Sequence, residues 1–141
     1  MERKNTDQLQ QELMTGNDLD RVLADNDSSF QGYALQERLQ ALFQRREISK
    51  TALARQSGIS EVYLHQVFSG RRTPSRNRLL CLCFGLGASV EEAQDLLRHA
   101  RLAPLYSRDR RDAIVIFGLS HGISLDEIND KLYAEDADTL C

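Results

Sequence analysis

The chain has 141 residues, 41% hydrophobic and 28% charged, so it forms one or two small globular domains and is not disordered overall. Its unbroken apolar runs fall far short of the ~20 residues a membrane helix needs, and residues 1–6 lack the apolar core of a signal peptide, so the expected location is the cytoplasm. The net charge of −3 hides an uneven spread: −4 over residues 1–34, +7 over 35–111 and −6 over 112–141. A basic middle between acidic ends fits a middle that meets a polyanion while the ends stay solvated or cover the middle itself.

Apolar residues recur at spacings of three and four, only Pro74 and Pro104 interrupt the chain, and nothing alternates for long, so the expected class is all-α. In chain order, Thr6 caps a helix over 7–14 and Asn17 one over 18–24. Leu9, Leu13, Leu19, Val22 and Leu23 give these two enough apolar surface to dock. The next helix runs from Gln31 or Leu35 to Arg46 and packs by the stripe Leu35, Leu39, Leu42 and Phe43. Ser49, Ser60 and Ser75 cap helices over 50–56, 61–68 and 76–86, and Ser89 with Glu92 forms a capping box.

Ser107 opens the helix that carries 113–119, and Ser124 with Glu127 forms a second capping box. Gly16, Gly58, Gly70, Gly87 and Gly122 fall at or beyond helix ends, where a left-handed residue is wanted. The last two helices hold Ile114, Phe117, Ile123, Leu125, Ile128 and Leu132, more apolar surface than two short helices bury alone. They must cover something else or dimerise. The expected organisation is an N-terminal helical extension over 1–30, a central domain over 31–103 and a C-terminal helical pair over 104–141, for dimerisation or partner binding.

Little in the sequence suggests catalysis or metal binding. Cys81 and Cys83 are two apart on a helix, which sends their thiols to nearly opposite faces and excludes a two-thiol metal clip; they read as small apolar residues and Cys141 as a tail thiol. His65, His99 and His121 lack ligand spacing, so neither a metal nor another cofactor is expected. There is no Gly-rich phosphate loop, serine nucleophile signature or HExxH pattern, and Asp126, Glu127 and Asp130 read as surface and helix-dipole charge, so an enzyme is not expected. The mixed-sign run over 108–112 reads as salt bridges on a solvated helix start rather than as phosphate contacts.

The informative stretch is 48–75. Ala54 is small where two helices cross closely and Gly58 permits a sharp turn. Leu53, Ile59, Leu64 and Val67 supply the apolar contacts that hold two helices at the ~90–120° of a helix-turn-helix. With the Leu53-Ala54 pair, Gly58-Ile59-Ser60, the 69–75 connector and the helix from Leu79-Leu80 to Leu86-Gly87, residues 35–100 resemble the Cro/C1-type (XRE-like) helix-turn-helix regulators.

The resemblance implies a five-helix domain that binds double-stranded DNA and regulates transcription, working as a homodimer on a two-fold site. The helix over 61–68 would lie in the major groove while the one over 50–56 crosses the phosphate backbone. Ser60, Glu61, Val62, His65 and Gln66 are then the base-contact candidates, with Gln66 suited to adenine and Glu61 to cytosine. Lys50, Arg71, Arg72, Arg76 and Arg78 are the phosphate candidates, which set register and salt-dependent affinity. Three features depart from the family pattern: the negative Glu61, the bulky Val62 and Tyr63, and Phe68 where an acidic residue is common. They motivate a competing reading, a module that keeps the fold but binds a partner protein through Val62, Tyr63, Val67 and Phe68 and through its acidic ends. Acidic ends covering the basic middle would instead give a self-inhibited DNA binder that a partner releases.

Overall fold

The computed structural model describes residues 5–26 and 31–141, and the side chains of all of these except 31–33. The chain start, 1–4, and the expected boundary after residue 30 lie outside the described residues. Among the described residues the secondary structure is nine α-helices and no strand: α1 (Thr6–Thr15), α2 (Leu19–Asp25), α3 (Gln31–Arg46), α4 (Lys50–Gln56), α5 (Glu61–Ser69), α6 (Arg76–Leu86), α7 (Val90–His99), α8 (Arg110–His121) and α9 (Leu125–Ala134).

Short polar residues start these helices, because their side-chain oxygens satisfy backbone N–H groups that have no partner inside the helix. Ser49, Ser60, Ser75 and Ser89 cap as expected, and Ser89 and Glu92 complete a reciprocal box. The expected caps at Thr6, Asn17 and Ser107 are displaced to Asn5, Asp18 and Asp109. In each case Asn or Asp, at least as good an acceptor, lies one or two residues further along or back. Ser124 accepts from the Glu127 N–H at 3.2 Å, but the return bond of a full box is absent among the described residues. Gly58, Gly70, Gly87 and Gly122 are left-handed; Gly16, with φ −71°, ends α1 in extended backbone instead.

The core is built around α6. Leu79, Leu80, Cys81, Leu82, Cys83 and Leu86 are all without exposure, so beyond its first turn this helix is enclosed on nearly every side, and the two thiols, two residues apart, point to opposite parts of one interior. Burial pushes the Cys83 thiol up to about 12, so it stays protonated and packs as an apolar group. The α4 helix crosses α6 closely at Gly85, where an added Cβ would collide with the Ser57 side chain. The expected α3 stripe forms, with Leu35, Leu39 and Leu42 buried and Phe43 partly so.

The C-terminal pair does cover something else. Helix α9 packs on α6 and α8 on α7, and Val115, Leu119, Leu125, Ile128, Leu132 and Leu140 join the cluster that begins at Leu35. At ~1.5–3 kcal/mol for each large apolar side chain fully buried, these residues are a substantial part of the stabilising burial. After α9 the chain turns back under the fold. Leu140 is buried, its N–H donates to Asn129 Oδ1 at 2.8 Å, and the Cys81 thiol donates to its carbonyl at 3.6 Å. The Cys141 Sγ atom lies 3.0 Å from where a Cβ on Gly58 would stand, directly behind the turn between α4 and α5.

Candidate nucleic-acid interface

Helices α4 and α5 are joined by Ser57 to Ser60, with Gly58 at φ +63° making the turn. Leu53, Ala54, Leu64 and Val67 are buried at their crossing and Ile59 is partly buried, as the spacing predicts. That anchoring decides which side of α5 faces out. Ser60, Glu61, Val62 and His65 are exposed and Gln66 half-buried, and Val62 keeps 68% of its surface accessible. Beyond α5, Gly70 closes the helix in left-handed geometry, and the Arg72 N–H donates to the Gln66 carbonyl at 3.2 Å, which fixes the connector against the helix end.

A shallow depression of about 380 Å³ brings two candidate sets together: Lys50 and Arg71 face His65 and Gln66 across it, with Gln40, Phe68 and Ser69 completing the wall. Lys50 Nζ lies 5.5 Å above the Phe68 ring, which itself meets Phe43 edge-on at 5.5 Å. On the other flank, Tyr63 is a platform for two arginines, with the Arg78 guanidinium 4.3 Å and that of Arg72 5.6 Å from its ring centre. Lys50, Arg71, Arg72 and Arg78 form no ion pair among the described residues. Elsewhere in the basic middle Arg38 is held by Asp95 at 2.7 Å, and Arg45 by Glu92 at 2.7 Å. The unpaired positive charge around α5 is what remains after that pairing.

Three expectations are corrected here. Arg76 is not at this surface: its guanidinium makes a two-pronged contact with Asp112, at 2.9 and 3.2 Å, and donates to the carbonyls of Ala103 and Pro104. Asp112, only 6% exposed, requires a cation beside it, and Arg76 is that cation. The hydrophobic partner-binding face also dissolves, because Tyr63 and Val67 are buried and Phe68 is packed between Phe43 and Lys50. Of its four members Val62 is exposed and Phe68, partly buried, shows only an edge at the wall of the depression. Lastly, the 108–112 run does form salt bridges, Arg110 with Glu135 and Asp112 with Arg76, but to partners distant in sequence rather than within the run. Asp109 caps α8, Arg110 reaches Glu135, and Arg111 donates to the carbonyls of Asp138 and Thr139 and to Asn77.

Sequence reasoning missed the role of Tyr63, although the signal was present. Tyr63 and Val67 are four apart and so share one face of the helix, which places the tyrosine on the anchored side rather than toward a groove. Among the described residues no cluster of His, Cys, Asp and Glu is arranged to hold a metal ion, and no helix is long and apolar enough to cross a membrane.

This arrangement, a short helix crossed by a second that presents its polar side outward beside unpaired cations, is the architecture of a helix-turn-helix. Residues 34–97, spanning almost all of α3 and α4 to α6 and most of α7, match the family model of the helix-turn-helix domain, and this part of the chain belongs to that family, within the XRE/Cro-like group. No curated protein and no solved structure matches the chain.

Proposed function

We propose that the protein is a sequence-specific, double-stranded-DNA-binding transcription regulator that reads the major groove with α5. The carrying observation is the outward presentation of Ser60, Glu61, Val62, His65 and Gln66 between two flanks of unpaired cations, Lys50 with Arg71 and Arg72 with Arg78. In this reading the cations hold phosphates and set the register, and the α5 side chains discriminate bases. The protein acts as a homodimer, whose two reading helices fall about one DNA turn, ~34–36 Å, apart on a two-fold site. It needs no cofactor, performs no enzymatic step and works in the cytoplasm.

Binding of the purified full chain to random duplex and to DNA from upstream of its own coding sequence, across a salt series, tests this. Expected are a steep loss of affinity with salt, a shallower slope in Arg71→Ala/Arg72→Ala, and preference for one duplex. Absence of binding at low salt, also after removal of 1–30, would overturn the reading and turn attention to a partner protein.

A further inference from the structure

We propose that the outer face of α8 and α9 is a two-fold interface that binds a second copy of this chain. Between the two helices runs a groove of about 710 Å³ floored by Ile114, Phe117, Ile123 and Ile128. Phe117 stacks on His121 at 3.9 Å and still keeps 55% of its surface exposed, so the imidazole covers one side of the ring and leaves the other to solvent. A large apolar group left open inside an apolar groove marks a contact surface rather than ordinary exposed surface.

The charges around the groove identify its occupant. At one end Arg110 and Lys131 both reach Glu135, at 3.3 and 3.0 Å, so two cations share one carboxylate and a positive charge is left over. One turn away on α9, Glu127 borders the same groove and forms no ion pair among the described residues; only its backbone N–H is engaged, by Ser124. A groove positive at one end and negative at the other is complementary to itself after a two-fold rotation. With the α9 helices of two copies antiparallel across an axis passing between positions 127 and 131, Glu127 of one protomer faces Lys131 of its partner, twice. Each Phe117 then enters the groove of the other copy. A polyanion or an anionic surface is disfavoured by Glu127 and by Asp126 and Asp130 beside it, all exposed.

This inference rests on the proposed regulator only in that a two-fold DNA site asks for a two-fold protein. The association itself is read without DNA, by sedimentation equilibrium of the full chain over a wide concentration series. The unaltered chain is expected to dimerise. Glu127→Lys and Lys131→Glu, each of which sets like charges against each other twice, are expected to weaken self-association on the order of a hundredfold with an unchanged far-ultraviolet circular dichroism spectrum. Mixing the two variants restores both opposite-charge contacts, so a heterodimer of near-original affinity is expected. A chain that is monomeric throughout overturns the proposal, as does a dimer indifferent to both reversals and to Phe117→Glu. Monomeric protein that still binds DNA sinks this interface and the homodimer but leaves the DNA-binding reading standing, and dimeric protein that binds no DNA at low salt sinks the regulator reading alone.

Discussion

Tyr63 shows how a single side chain in this protein serves both the core and the surface. The residue is only 7% exposed, yet the outer face of its ring carries Arg72 and Arg78, so the side chain that anchors α5 also orders two cations of the candidate interface. Exposed cation–aromatic contacts stabilise by ~0.5–1 kcal/mol each, so losing both corresponds to a few-fold to about thirtyfold in affinity if the two arginines hold phosphate only when ordered. Tyr63→Leu is accordingly expected to weaken binding to all duplexes to a similar extent, and Tyr63→Phe to weaken it little, in fluorescence anisotropy titrations. A loss confined to one DNA sequence would instead make Tyr63 part of base discrimination. Gly118 is a second such position, and a purely structural one. A Cβ there would stand 2.5 and 2.6 Å from Ile128 side-chain carbons, where α8 meets α9. Gly118→Ala is expected to lower the unfolding free energy by ~1–3 kcal/mol in urea titration, the usual cost of overpacking a filled interior.

At the scale of elements, the helices of the recognition unit were legible in the sequence and their attachments were not. Ser49, Ser60, Ser75 and Ser89 begin helices because a hydroxyl beside an apolar-periodic run has one favourable local use, and this is decided within a few residues. Arg76 has no such local determinant. Next to Arg71, Arg72 and Arg78 it looks like one more surface cation, and only the return of the chain 36 residues later brings Asp112 to it. Removing one partner from this pair leaves the other charge enclosed, so Arg76→Met is expected to cost ~3–5 kcal/mol of stability, measurable by chemical unfolding. The double change Arg76→Met/Asp112→Leu should recover much of that, since no charge then remains to be solvated.

The clasp between α3 and α7 carries the pH dependence. Hydrogen bonds from Arg45 hold Glu92 below its ordinary range. Burial works against the Asp95 carboxylate, but Arg38 and Arg98 outweigh it and its pKa also falls. Burial, followed by the nearby Arg38 charge, lowers His99 below its ordinary 6.5, against the pull of Asp95. In all three the folded state binds fewer protons than the unfolded one, so stability is complete above the ordinary pKa values and declines as pH falls. Melting temperature should therefore begin to drop below about pH 6.5 through His99, and drop further below about pH 4.5 through the carboxylates. In His99→Gln the first part of the decline is expected to flatten while the second persists.

For the whole molecule, the question is whether the recognition unit stands without residues 104–141. The matched helix-turn-helix region ends at residue 97, and as a sequence it looks self-sufficient, with five helices and caps of its own. The packing argues otherwise. Leu125, Leu132 and Leu140 fill the same interior as Leu80 and Leu82, Asp112 neutralises Arg76, and Cys141 supports the turn at Gly58 from behind. Cutting the chain after residue 103 would bare the α6 side chains that α9 and the tail now cover, and would leave Arg76 without its carboxylate. Each large side chain stripped of cover loses up to ~1.5–3 kcal/mol, and a domain's entire stability is only ~5–15 kcal/mol. The 1–103 fragment is therefore expected to lose cooperative unfolding, or to unfold at much lower urea concentration than the full chain. A fragment with the midpoint of the full chain would mean that α8 and α9 are an appendage resting on a finished domain, and that the continuity of the core across residue 104 contributes nothing to the fold that holds α5.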